Sequence, residues 1–433
     1  MNASMHQTES LKRHQRWGVV TRIGFRFCAA YFFLYMLPAP TRLGFFDAVP
    51  VGGKLAAPLV QAWKVAVAWA GQAIFRLPAP AVSYASFGPE KARDYVQCAI
   101  VAFLAFATAL VWSVIDHKSA AHPRLHAWLR VLIRAYLIVA LLPFALDKII
   151  PVQFPSPLLG QLSRRVGELT PAALLWTFIG ASTPYQVIGG MAEMTAVILL
   201  IFRRTAALGA VVMSAVMSNV VAINFCYDLG VKLYSSHLLA MSLFLVIPQI
   251  SALADLFVLH RAARIEPEPR VVRLRPLRRT ITGVTAACLV WFGATTAQDY
   301  WSGYKRMLSW RQAPLYGAYD VESAPPTIAG EAPWAGVVVQ SPTAFAFERA
   351  DRSTGWYLSA YDRGTQTVVL SDPKSKAPVG TLSYSRPDGS HVRLDGSITG
   401  ERVSILLRPA DPSRFRLVNH GFHWTHERPP SSE

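Results

Sequence analysis

Seven apolar runs, each near the ~20 residues that an α-helix needs to cross about 30 Å of hydrocarbon, dominate the first 297 positions of this 433-residue chain. Inside a bilayer a backbone amide finds a partner only within a helix or a closed barrel, so runs of this length are expected to fold as membrane helices. The spans fall at 17–38, 95–115, 128–149, 184–202, 206–226, 233–254 and 280–298. The expected fold class is a mostly α-helical integral membrane protein of about seven transmembrane helices, with the lipid bilayer as its first partner.

Charge supplies an orientation. Residues 298–433 carry 15 Lys and Arg against 14 Asp and Glu, so nearly all of the net +17 lies before them. The excess flanks the apolar runs: Lys12, Arg13 and Arg16; Lys118, Arg124 and Arg130; Arg203 and Arg204; then Arg261, Arg264, Arg270, Arg273, Arg275, Arg278 and Arg279. These sites are the N-terminal tail (1–16) and every second loop, the last being the basic loop 258–279, and the positive-inside rule places them together in the cytoplasm. Membrane topology accounts for the charge, and no nucleic-acid partner is expected. The loops 39–94, 150–183 and 227–232 then face out. Seven spans leave the C-terminal part in the periplasm of a bacterial inner (cytoplasmic) membrane. The first run exceeds a signal-peptide core and is not followed by a small-x-small cleavage pattern, so a retained span is expected there.

Within 17–126, the outer segment 55–75 (LAAPLVQAWKVAVAWAGQAIF) reaches span length but contains Lys64 and a proline. Trp63 and Trp69 suit a membrane surface, so an interfacial helix is expected. Cys28, Cys98, Cys226 and Cys288 lie in or beside apolar runs without CxxC spacing. That predicts small buried side chains, and neither a zinc site nor a disulfide framework.

From Tyr316 onward the hydrophobic period becomes two. WAGVVVQ, AFAFER, GWYLSAYD, QTVVLSD, GTLSYSR, HVRLDGSI, VSILLRP and FRLVNH are separated by turn signals such as ADRSTG, DRGT, PDGS and ADPS. Short strands with this punctuation predict a small antiparallel β-barrel or sandwich of about eight strands over 312–428. His420, His423 and His426 near its end stand three apart; alternate residues of a strand face opposite ways, so no converging metal site is expected.

Charged groups at bilayer depth are costly, from about 2.5 kcal/mol upward, so each marks a candidate site. Glu193 lies near the middle of the fourth span, about 15 Å from its outer end at 1.5 Å per residue, with Gly189 and Gly190 one turn outward. Asn219 stands at nearly the same depth and His237 about 6–9 Å below the outer surface by the same measure. Asn224, Asp228, Lys232 and Tyr234 sit nearer the rim, and Asp147 and Lys148 end the third span. Asn219, Ile223 and Cys226 share a three-to-four spacing and Asn224 lies about 100° off it, so Asn219 can face the bundle and the two asparagines need not share a face. In a structural reading, Glu193 is protonated or paired with Lys148 or His237 simply to pin helix packing. In a functional one, Glu193 and His237 exchange protons, while Lys148, Asn219, Asn224 and Tyr234 hold a ligand such as a quinone, whose ring needs apolar walls and whose carbonyls need donors. Arg22 and Arg26, one turn apart in the first span, are expected to snorkel toward the inner headgroups, a pattern repeated by Arg130 and Arg134.

LRVLIRAYLIVALLPFALDKIIP, YQVIGGMAEMTAVILLIFRRTAALGAVVMSAVMSN and HLLAMSLFLVIP together resemble the four-helix membrane core of the DoxX family. The likeness covers 127–257 and rests on Lys148 at the end of the first helix, Glu193 after a glycine-rich start and Arg203/Arg204 in a tight turn. The FCYD…VKLYSSHLL segment and the terminal GFHW resemble longer bacterial DoxX-like proteins. The resemblance implies a membrane subunit of a quinone-linked redox system, partnered with a soluble redox enzyme. With no paired cysteines, CxxCH or nucleotide motif, no intrinsic cofactor is expected. Two readings follow. One is an inner-membrane redox component that binds quinone and whose periplasmic β domain contacts a redox partner. The other is a non-enzymatic scaffold or binding module whose barrel takes a lipid, a small apolar ligand or a partner protein.

Overall fold

The computed structural model describes residues 17–37, 45–84, 89–157, 159–162, 164–263, 271–272, 274–411, 415–419 and 421. Lys12, Arg13, Arg16, Arg264, Arg270, Arg273, His420, His423, Trp424 and His426 lie outside them. The chain divides into two compact units, one formed by 1–149 and 188–298, the other by 150–187 and 299–433.

The first unit is helical. Its long helices are α1 (Val19–Met36), α2 (Gly52–Ala73), α3 (Ala92–Ile115), α4 (Pro123–Ile149), α5 (Thr183–Ile201), α6 (Ala206–Cys226), α7 (Lys232–Val246, whose apolar run continues to Phe257) and α8 (Arg275–Ser309). All but α2 are long and apolar enough to cross a membrane, giving seven candidate spans among the described residues. α4 forms the centre: 61% of its apolar window is buried, against 6% for α8. Its stretch AYLIVALLPFAL is apolar all round, the composition of a helix enclosed by others. Pro143 lies inside it, which spanning helices tolerate when neighbouring groups satisfy the freed carbonyl. α1 packs on α3 and α4, and α6 on α7. α1 buries Phe25, Ala29 and Phe32, and α3 buries Val101, Ala105 and Ala109. Lipid is as apolar as leucine, so close van der Waals contact at such small residues, rather than the hydrophobic effect, holds these helices together.

α2 is not among the helices apolar enough to span, and its two tryptophans differ in setting. Trp63 is buried in the same core as Val67 and Ala70, although Trp69 is 65% exposed. α2 therefore packs one whole face against the bundle, next to α3.

In the second unit, β1 (Gly317–Ser323), β2 (Trp334–Ser341), β3 (Ala344–Arg349), β4 (Thr354–Asp362), β5 (Thr367–Ser371), β6 (Pro378–Ser385), β7 (Val392–Ile398) and β8 (Glu401–Pro409) form a closed antiparallel barrel. Each strand pairs with the next, and β8 returns to β1, as in Val321 opposite Leu407. Eight strands leave an interior just wide enough for side chains. Here Val337, Val339, Phe345, Val368, Leu370, Leu382, Leu394 and Ile405 fill it, all completely buried. Each such burial contributes about 1.5–3 kcal/mol. Gly396 sits where β7 presses on β6: a Cβ there would lie 2.1 Å from the Thr381 carbonyl oxygen. Asp side chains close the turns, with Asp362 accepting from the Gly364 N–H at 2.8 Å and Asp388 from the His391 N–H at 2.8 Å, as Asx-type turns require.

Two strand expectations are corrected. β1 was not among the anticipated runs, because GAYDVES carries two charges in seven residues. FRLVNH does not extend the sheet: Arg416–Asn419 is a single helical turn. In the same unit, the Gln186 side chain clasps Phe154, accepting from its N–H at 3.0 Å and donating to its carbonyl at 3.1 Å.

Candidate functional site

Asp147 and Lys148 occupy the last turn of α4, and Glu193 the middle of α5. Gly190, three residues before Glu193, marks the contact of the two helices: a Cβ there would lie 2.7 Å from Lys148 Cβ and 2.9 Å from the Ala145 carbonyl oxygen. Gly189 faces open space, so Gly190 alone permits the approach. Across it Lys148 Nζ donates to Glu193 Oε2 at 2.9 Å and to the Phe144 carbonyl at 3.1 Å. Glu193 is only 3% exposed. Asp147 feels the charges of both Lys148 and Glu193, and its Oδ1 is buried without a hydrogen-bond partner among the described residues. Tyr234 reaches this group through Phe144, their ring centroids 6.2 Å apart, and its hydroxyl is buried. The ammonium thus pairs with Glu193, and Asp147 stands beside them without an ion pair among the described residues, in an apolar setting where a bare charge is costly.

His237 is not part of that group. Both its ring nitrogens are engaged elsewhere: Nδ1 lies 2.7 Å from the Leu233 carbonyl and Nε2 lies 2.6 Å from the Tyr31 hydroxyl. Its ring stacks on Tyr35 of α1 at 4.0 Å and 9°. Asn224 is also turned to a structural task, Nδ2 donating to Ser235 Oγ at 2.9 Å, which ties α6 to α7. Asn219, expected to face the bundle, is exposed. The buried stripe of α6 runs through Ala210, Met213, Ser214 and Met217 to Asn224, so the two asparagines do not share a face and it is Asn224 that is buried. Of the candidate residues, then, Glu193, Lys148 and Tyr234 gather with Asp147, His237 and Asn224 stand apart from them, and Asn219 faces outward.

The segment NFCYDLGVKLYSSH, which joins α6 to α7, is held by residues that the sequence did not single out. Glu90 accepts from the backbone N–H groups of Leu233 at 2.8 Å and Tyr234 at 2.7 Å, capping α7, while its own N–H donates to the Gly230 carbonyl at 2.7 Å. Pro89 packs so close to Gly230 that a Cβ would meet it at 2.2 Å. Within the turn, Lys232 pairs with Asp228 and pulls that carboxyl below its ordinary range. Arg93, 2% exposed, donates to the Ser83 carbonyl and covers the Tyr84 ring at 4.7 Å. Two tyrosines four apart in an aromatic-rich span, Tyr31 and Tyr35, were the available signal for the His237 contacts.

At the opposite end of α1, Arg22 and Arg26 do not reach for headgroups. Arg22 donates to the Ser119 carbonyl at 2.8 Å and Arg26 to the Asp116 carbonyl at 2.6 Å, so both fasten the turn between α3 and α4. Arg26 Nε also donates to His122 Nε2 at 3.3 Å. Arg130 similarly donates to the Leu245 carbonyl at 3.4 Å.

Seven apolar helices of spanning length, a buried polar cluster in their midst and a closed β-barrel define a multi-pass membrane protein with an appended barrel. Its sequence is similar to the uncharacterized protein YwoB of Bacillus subtilis (strain 168), 40% identical over 93 residues. That alignment takes in 20% of this chain and spans about 60% of the length of YwoB. No family model matches the chain. No solved structure matches it either.

Proposed function

We propose that the protein is a DoxX-like component of a bacterial inner membrane that binds quinone in the outer half of its helical unit and exchanges a proton with it through Asp147, Lys148 and Glu193. The observation carrying this reading is the cluster's imbalance: Lys148 pairs with Glu193, and beside them Asp147 Oδ1 is buried without a partner among the described residues. A group pinned only for packing needs one acid and one base; an added carboxyl is suited to trading a proton with a ligand oxygen. Lys148 and the Tyr234 phenol supply donors of the kind a quinone carbonyl takes, and Phe144 supplies an apolar wall. The barrel, facing the periplasm in this reading, contacts the redox partner. Quinone extraction from the purified full chain tests the reading, together with quinone reduction by membranes carrying Glu193→Gln. Bound quinone and a loss of reduction in the variant support it; quinone-free protein and unchanged reduction overturn it.

A second reading, a membrane scaffold with a binding barrel, is favoured by the Gly190 contact, which makes the Lys148–Glu193 pair part of a tight helix crossing. With the barrel interior filled, its partner would sit outside, where an open hollow of about 850 Å³ is lined by Thr381, Asp395, Arg402 and Ser404 among others. On this reading Glu193→Gln lowers thermal stability and leaves quinone content unaltered.

A further inference from the structure

We infer that Tyr31 and His237 form a second proton-donating station, separate from the Glu193 cluster, which delivers a proton to an oxygen of the ligand held in the same half of the helical unit; this rests on the quinone reading above. The geometry settles which atom donates. A carbonyl oxygen only accepts, so the 2.7 Å contact between His237 Nδ1 and the Leu233 carbonyl places a proton on Nδ1. In a neutral imidazole Nε2 is then the acceptor, and Tyr31 donates to it across 2.6 Å. The tautomer is thus fixed by the backbone of α7 and the lone pair is aimed at a phenol on α1.

Two neighbours make a charged imidazole affordable at this position. Tyr35 lies face to face with the ring at 4.0 Å and 9°, and an aromatic face attracts the cationic form of such a ring. His237 also stands in the second turn of α7, close to a helix N-terminus whose partial positive charge opposes an imidazolium. Glu90 answers that charge by accepting the Leu233 and Tyr234 N–H groups at 2.8 and 2.7 Å. Glu90 and Tyr35 are therefore positioning residues for the pair.

The step balances without any further reactant beyond the reduced ligand. In the loaded state His237 is an imidazolium, Nε2–H donates to the Tyr31 oxygen, and the Tyr31 hydroxyl donates to a ligand oxygen that has become negative by taking electrons from the external reductant. The Tyr31 O–H bond breaks as the ligand O–H bond forms. The Nε2–H bond then breaks as its proton restores the Tyr31 hydroxyl, leaving a neutral imidazole whose Nε2 accepts from Tyr31. Reduction of a quinone to a hydroquinone takes up two protons, so two stations, this pair and the Asp147–Lys148–Glu193 cluster, match its demand.

The full chain in lipid nanodiscs, loaded with a short-chain benzoquinone, tests this by electrochemical infrared difference spectroscopy with isotope-labelled tyrosine and histidine. On reduction of the quinone, the inference expects bands from one tyrosine and one histidine, with the tyrosine band lost in Tyr31→Phe and the histidine band lost in His237→Gln. It also expects quinone reduction to slow by about 100-fold in Tyr31→Phe, the usual worth of a positioned acid, with quinone still bound. Labelled bands unchanged in Tyr31→Phe overturn the inference while leaving the Glu193 reading intact. No quinone bound by wild-type protein, or loss of bands only in Glu193→Gln, overturns it too, the former together with the proposed function. Unaltered quinone content and melting temperature in both variants exclude misfolding as the cause.

Discussion

The two units handle polar atoms in opposite ways. In the barrel, the interior is aliphatic and aromatic from Val337 to Ile405, and charges are sent to the turns, where Asp351, Asp362, Asp372 and Asp388 accept backbone N–H groups. In the helical unit, the most enclosed helix, α4, ends in Asp147 and Lys148, and Glu193 is buried against it. An interior that water does not reach keeps charged groups only at a large energetic penalty. The barrel's filled interior holds no charged side chain among the described residues, whereas the helical unit buries Arg26, Arg93, Arg130 and Glu193.

The strongest way to break this contrast is to unbalance the buried cluster. Lys148→Met removes the cation that pairs with Glu193, and stranding one partner of a buried pair costs about 3–5 kcal/mol; a steep fall in expression and melting temperature in detergent is expected. Adding Glu193→Gln to Lys148→Met should recover most of that loss, because the stranded charge goes too. In the barrel, Phe345→Ala opens a cavity in a filled core and is expected to destabilise that unit by about 3–5 kcal/mol, read as earlier proteolysis within 316–411, with quinone content unaltered. A smaller effect is expected from Glu90→Ala, which uncaps α7 at about 0.5–2 kcal/mol and should show as faster amide exchange at Leu233 and Tyr234.

The smallest effect is one of pH, and it belongs to the barrel alone. The His391 hydrogen bond, with those of Ser390, draws the Asp388 carboxyl down to about 2, below the ~3.9 of an unfolded aspartate. A lowered folded value means that the carboxylate form favours the fold above about pH 4, and that this contribution fades as pH falls toward 2. Asp388→Asn should flatten the acid limb of the barrel's melting curve slightly, and Asp388 is too exposed for more.

Legibility in the sequence follows the same divide. All seven spans could be located because a run of some 20 apolar residues has few other uses, although the last helix extends to Ser309, well past the expected 298, and seven of the eight strands because period-two alternation has a dry side and a wet side. Helix phase in the membrane was not legible: α6 is apolar on every face, since lipid and protein core ask for the same residues, and so the spacing could not say that Asn224, and not Asn219, is the buried one. The pairing of Glu193 with Lys148 was among the options that the sequence left open, and Gly190 decides it by bringing α5 against α4. Tyr31, Glu90 and Arg26 act through contacts 90 or more positions away in the chain, which no local pattern records. FRLVNH alternates like a strand, yet β8 already closes on β1 and leaves it no edge to join.

Native mass spectrometry of the full chain released from its own lipids, with Asp147→Ala and Phe345→Ala beside it, bears most directly on the claim that the buried polar cluster, and not the barrel, is the chemical part of the molecule. The account predicts a quinone-sized adduct on the wild-type chain that is lost in Asp147→Ala and kept in Phe345→Ala. An adduct that survives Asp147→Ala and disappears with Phe345→Ala would contradict it.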